Sequence, residues 1–220
     1  MLEKISRREE ADLFVAWVAI SLAFAIIQIA PNTILGPVEP IEPLVALQYL
    51  VIAFVTVGIA FCLHEMAHKF TAMKFGYWAE FRKDNMMLLV AIALAALVSV
   101  VFAAPGATLI SSSNRFGKTI TKEEYGIISA AGPIVNLLLC IPFVVIFLFF
   151  GGLHAVLSGD ILAKIGLAGF QINAMIAAFN MLPVSVLDGK KVLAWNVGIF
   201  VILIVAAFGA LVVSFYPSIL

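Results

Sequence analysis

The chain has 220 residues, 64% of them hydrophobic and 12% charged, and its 13 Lys+Arg balance 13 Asp+Glu. A water-soluble domain of this length has too little polar surface to coat so much apolar side chain, so composition implies an integral membrane protein. Zero net charge gives no sign of nucleic-acid binding, and Cys62 and Cys140, both inside apolar runs, form no disulfide framework and read as small packing residues.

A helix needs roughly 20 apolar residues to cross the hydrocarbon. The first candidate, 13–30 ("LFVAWVAISLAFAIIQIA"), is longer than a signal-peptide core and is followed by no small-x-small cleavage site, so a retained first span is expected. Further runs lie at 44–63, 86–104, 127–150, 161–182 and 197–215. There is no internal repeat and no stretch long enough for a soluble domain. The expected fold is an all-α polytopic membrane protein with five or six transmembrane helices. It forms one membrane-embedded domain over 1–220, with a core at 44–191 and peripheral helices at 13–30 and 197–215.

Charge placement gives the orientation. Lys4, Arg7 and Arg8 precede the first run, and the linker 31–43 carries two glutamates and no Lys or Arg, so the N-terminus is expected in the cytoplasm. Lys69, Lys74, Arg82 and Lys83 bring the chain back inside. If 86–104 crossed fully, Arg115, Lys118 and Lys122 would lie outside. If 86–110 enters and returns, 12 of the 13 Lys+Arg are cytoplasmic, all but Lys164. A re-entrant element or β-hairpin near 86–110 is therefore expected, with "APGA" at 104–107 as the break, and a plain sixth span is the alternative. The expected location is the cell membrane, with the active-site opening on the cytoplasmic side.

The end of the second run reads "IAFCLHEMAHKFTAMKFG", residues 59–76. Positions i and i+4 share a helix face, so His64 and His68 can point at one ion. Glu65 sits beside them, close enough to take a proton from a water at that ion. This H-E-x-x-H spacing supplies two neutral imidazole ligands for zinc and a carboxylate base. A polar helix end with histidines snorkelling to water would explain the lysines. It does not explain why two of only three histidines stand four apart around a glutamate.

Catalytic zinc usually takes a third protein ligand. The candidates are Glu80, Asp84, Glu123, Glu124, His154, Asp160 and Asp188. Glu80 and Asp84 fall in a basic segment expected to be solvated. Glu123 and Glu124 resemble the acidic first turn of a helix, and His154 and Asp160 belong to the outer connection. Asp188 follows the helix break at Pro183 in "FNMLPVSVLDGKKVLAW", in an Asp-Gly turn ahead of two lysines at the cytoplasmic boundary. Sharing an ion with His64 requires 161–182 to run inward and 86–110 to begin and end inside, which agrees with the lysine placement. A glutamate ligand, Glu80, Glu123 or Glu124, stays open.

Three stretches, "HEMAH" at 64–68, "AGPIVN" at 131–136 and "NMLPVSVLDG" at 180–189, make the chain resemble the site-2 protease family of intramembrane zinc metalloproteases, in a minimal form without a PDZ-like insertion or an appended regulatory domain. The resemblance implies that His64, His68 and Asp188 ligate one zinc ion per chain, that Glu65 activates water, and that Asn136 and Asn180 support the site. It also implies a transmembrane protein as substrate, with the lipid bilayer as surroundings; the oligomeric state stays open. Read as residues, Gly132 permits close helix approach, Asn136 can hydrogen-bond across helices, and Asn180 can donate its amide to a polarised carbonyl. Asn173 has no motif and reads as structural. Two rival functions remain: a metal-ion transporter, which would need liganding positions along a path, and an inactive relative.

Overall fold

In hydrocarbon the backbone must satisfy its own hydrogen bonds, so apolar runs become helices. The computed structural model describes residues 5–29, 42–99, 106–114 and 117–220. Its elements in chain order are α1 (Arg7–Ile29), α2 (Pro43–Lys74), β1 (Ala79–Lys83), α3 (Asn85–Val98), β2 (Gly106–Ile110), α4 (Lys122–Phe149), α5 (Gly152–Ser158), α6 (Ile161–Asn180), α7 (Asp188–Trp195) and α8 (Val197–Phe215). Among the described residues, α1, α2, α4, α6 and α8 are long and apolar enough to cross a membrane. The chain is thus an α-helical, multi-pass membrane protein whose only described sheet is one pair of short strands. Most of the acidic linker 31–43, the first half of "APGA" and Arg115 lie outside the described residues.

The chain divides into two compact units. The first comprises Met1–Cys62 and Glu80–Leu109. Within it, the Trp17 indole donates to the Phe54 carbonyl at 2.9 Å and lies over Gly58, where a methyl would stand 2.5 Å from the indole nitrogen. This fastens α1 to α2. The foot of α1 holds β1: Glu9, fully buried, accepts from the Phe81 N–H at 2.9 Å. Arg82 pairs with Glu80 at 2.7 Å and reaches Asp12 at 3.6 Å, and the Ser6 hydroxyl donates to Glu80. Glu80 is therefore buried in an ion pair, not solvated as expected.

The described part of the run 86–104 forms neither a sixth span nor a simple hairpin. Its helix, α3, has 14 residues, about 21 Å of rise against about 30 Å of hydrocarbon. Asp84 caps its start by accepting from the N–H groups of Met86 and Met87, and it stops at Ser99, which takes a left-handed φ of 54°. Because β1 and β2 are hydrogen-bonded neighbours, the chain that leaves β1 comes back to it. Among the described residues, the element expected near 86–110 is a short helix between two paired strands.

The second unit comprises Leu63–Ala79 and Ile110–Leu220. Helix α4 starts on a capping box, Thr121 with Glu124, and Glu124 also accepts from Tyr77 Oη at 2.9 Å and Lys118 Nζ at 2.8 Å. Helices α4 and α6 meet closely because Gly166 and Gly169 lie against Phe147 and Phe143, the small-residue approach typical of membrane helices. Ala130, Ala177, Met181, Val192, Phe200 and Leu203 join α4, α6, α7 and α8 in one buried cluster. Two short helices were not expected. One is α5, in the 151–160 connection. The other is α7: Asp188 and Gly189 open a helix instead of closing a turn.

Candidate metal centre

All the residues of this centre lie in the second unit. One helix turn stacks His64 over His68, with ring centroids 4.6 Å apart and planes nearly perpendicular. Their Nε2 atoms stand 3.0 Å apart. Asp188 Oδ2 lies 3.0 Å from His68 Nε2 and 3.5 Å from His64 Nε2. The three residues are buried and form a group whose ligand atoms lie within 4.8 Å of one another.

Two glycines make the meeting possible. A methyl at Gly132 of α4 would sit 2.5 Å from His68 Nε2 and 2.6 Å from His64 Cε1, so the rings occupy the space a side chain would take. A methyl at Gly189 would run into the Met181 carbonyl, so its absence lets the start of α7 fold back on the end of α6. The intervening segment turns through Ser185, with a φ of 49°. Asp188 then sits in the first turn of α7, where the helix dipole favours an anion. Lys191, one turn on, places Nζ 3.4 Å from Asp188 Oδ1 and 5.5 Å from the Tyr125 ring centre. One carboxylate oxygen thus faces the lysine and the other faces the imidazoles.

Hydrogen bonds behind the rings fix which nitrogen carries the proton. His68 Nδ1 faces the Ile128 carbonyl at 2.8 Å, and a carbonyl only accepts, so Nδ1 is the donor. For His64 the fixing is longer. Asn173 Nδ2 donates to the Gly169 carbonyl at 2.8 Å, Asn136 Nδ2 donates to Asn173 Oδ1 at 2.9 Å, and Asn136 Oδ1 is left to accept from His64 Nδ1 at 2.6 Å. Both neutral imidazoles therefore turn an Nε2 lone pair toward Asp188. Asp188 turns one carboxylate oxygen to the same point. Three acceptors then converge on one point, an arrangement that only a cation or a shared proton can satisfy.

The donor set and spacing fit zinc. With Zn–N and Zn–O distances of about 2.0–2.2 Å, two ligands at a tetrahedral angle stand about 3.3–3.6 Å apart. The separations here, 3.0, 3.0 and 3.5 Å, are within a few tenths of an ångström of that. Three protein ligands leave a fourth position for a reacting molecule.

The other residues singled out by sequence separate clearly. Glu65 is buried but is not one of the three convergent ligand residues. Asn136 is fully buried and touches His64 directly. Asn180 is buried too, but its Nδ2 donates within its own helix, to the Ile176 carbonyl at 3.0 Å. Of the rival third ligands, Glu80 pairs with Arg82, Asp84 caps α3, Glu124 caps α4, and Asp160 caps α6 through the Ala163 N–H. The residue that sequence reading passed over is Asn173. Its one signal was an amide in the middle of an apolar helix, which is expensive unless satisfied.

Comparison with known proteins finds a protein of Methanocaldococcus jannaschii named "Putative zinc metalloprotease MJ0611", 34% identical over 193 residues, covering 88% of this chain and 87% of that protein. No family model matches the chain, and no solved structure matches it.

Proposed function

Because the chain belongs to a family of zinc metalloproteases, that of its archaeal relative, we propose that it hydrolyses a peptide bond within the transmembrane segment of another membrane protein. One zinc ion per chain is held by His64, His68 and Asp188, and Glu65 is the general base. The observation that carries this reading is the buried convergence of two Nε2 lone pairs and one carboxylate oxygen, each fixed from behind. Zinc at that point supplies a Lewis acid that polarises the scissile carbonyl and eases loss of a proton from water. Glu65, one residue from the first ligand, takes that proton and later delivers it to the leaving amine. Asn136 holds His64 in its ligating tautomer. The amide nitrogen of Asn180 has a second N–H beyond the one given to Ile176, and we assign it to the carbonyl oxygen as negative charge develops there.

The substrate class follows from the setting. Helix α2, which carries both histidines, is itself apolar and long enough to span a membrane. A substrate helix hides its carbonyls in its own hydrogen bonds, so it must unwind locally before cleavage. Both units serve this one protease domain, with its core at 44–191. Keeping the lysines and arginines inside places the N-terminus and the opening of the site at the cytoplasmic face of the cell membrane.

Metal transport would need further liganding positions along a path, and one group of three appears among the described residues. The deciding experiment is Glu65→Gln in reconstituted membranes with a transmembrane substrate. Zinc content is expected to stay at the wild-type level while cleavage falls by about 10²–10⁴-fold. Undiminished cleavage would show that Glu65 is not the base.

A further inference from the structure

Asn173 is fully buried in α6, and both ends of its amide are used. An amide that merely needed partners could sit either way round between two adaptable neighbours. This one cannot, because the Gly169 carbonyl accepts and never donates. Reversing Asn173 would set two oxygens against each other at Gly169 and two NH2 groups against each other at Asn136. Asn136 would then have to reverse as well and present NH2 to His64 Nδ1. His64 would have to move its proton to Nε2, the atom that faces His68 and Asp188.

We infer that Asn173 is a positioning residue for the metal: acting through Asn136, it fixes His64 as the Nδ1–H tautomer and keeps the Nε2 lone pair for the ion. The inference rests on reading His64, His68 and Asp188 as the metal site. His68 needs no such relay, because its Nδ1 meets the Ile128 carbonyl directly at 2.8 Å. The direction of the His64 relay is thus set by a backbone carbonyl two side chains away, on α6.

The test uses the full chain in detergent micelles, labelled with 15N and 13C at its three histidines. Zinc affinity is read by competition with a chromophoric chelator, and tautomers by NMR of the zinc-free protein. In Asn173→Leu, zinc affinity is expected to fall about 10- to 100-fold. The His64 signals should shift toward the Nε2–H tautomer while those of His68, the internal control, stay in place. Asn173→Asp protonates when buried. It then accepts from Asn136 and donates to Gly169, and is expected to restore both readouts. Asn173→Ala carries the same expectation as Asn173→Leu should the leucine variant fail to fold. The inference is overturned if the leucine or alanine variant keeps wild-type affinity and an unchanged His64 tautomer. It is also overturned if affinity falls with His64 and His68 disturbed equally, which would mark a packing role only. If the wild-type protein binds no zinc, or binds as much after His64→Ala and His68→Ala together, the metal-site reading itself has failed. That result is distinct from either of the others.

Discussion

Gly132→Ala places a methyl carbon where the two imidazoles already are. It would stand 2.5 Å from His68 Nε2 and 2.6 Å from His64 Cε1, against the 3.4 Å at which ordinary contact begins. Something must therefore yield by about 0.8–0.9 Å. Helix α4 is poorly placed to retreat, because it grips both rings, through Asn136 at 2.6 Å and Ile128 at 2.8 Å. The displacement falls on the Nε2 ends of the rings, whereas a metal site tolerates distance errors of about 0.2 Å. Overpacking a filled interior costs about 1–3 kcal/mol. If the zinc-free protein relieves that strain by splaying the rings, restoring them opposes zinc binding by the same amount, about 5- to 150-fold in affinity. The assay pairs chelator competition for zinc with cleavage of a reconstituted transmembrane substrate, and circular dichroism checks that the variant is folded. A folded Gly132→Ala protein with wild-type zinc affinity and wild-type cleavage would refute this account of the site.

Asp188→Ala removes one of three proposed ligands and is expected to lose zinc under conditions that load the wild type, while Glu80→Ala and Glu123→Ala keep it; atomic emission decides, and the opposite pattern would move the third ligand to a glutamate. Lys191→Met removes a partly exposed cation 3.4 Å from Asp188 Oδ1, so zinc affinity should weaken only about two- to fivefold, as for a partly screened ion pair, and an unchanged affinity would show that Lys191 does not orient the carboxylate. Single cysteines at Lys83 and Leu109, in a chain cleared of Cys62 and Cys140, are expected to react with an impermeant maleimide from the same side of the membrane, and labelling from opposite sides would rule out re-entry of the chain between β1 and β2.

What the sequence made legible follows the range of the interactions. His64 and His68 could be read because helix pitch alone puts i and i+4 on one face. Asp188 could be proposed, 120 residues past His68, because counting membrane crossings constrains which side a residue is on. Gly132 and Gly189 fell inside recognisable motifs, but their reason is spatial: one makes room for imidazoles on another helix, the other for the Met181 carbonyl. Hydropathy overran at 86–104 because the helix stop at Ser99 uses a left-handed backbone that serine rarely adopts and no apolar scale detects. Helix α7 was missed since Gly189 and two lysines in "DGKKVLAW" read as a turn, while Val192 holds it down by burial against α4, α6 and α8. Asn173 was illegible for a similar reason. Its role depends on an amide 37 residues away on a neighbouring helix, and the cost of burying its own amide was the only local trace.

Transport and hydrolysis make opposite demands on the same ligands. An ion in transit has to leave, so its sites are weak, repeated and adjustable. Here each ligand is immobilised from behind: His68 by a backbone carbonyl, His64 by a two-amide relay ending on another, and Asp188 by Lys191. Neither imidazole can turn its acceptor away without breaking a buried hydrogen bond, and each buried acceptor left unmet costs about 1–3 kcal/mol. Such a site favours keeping its cation over releasing it. A retained cation is a cofactor and not a cargo, which agrees with the proposed hydrolysis, in which Glu65, buried next along the helix from His64, is the base. The rigidity that argues against transport is the same property expected to make one added methyl at Gly132 damaging.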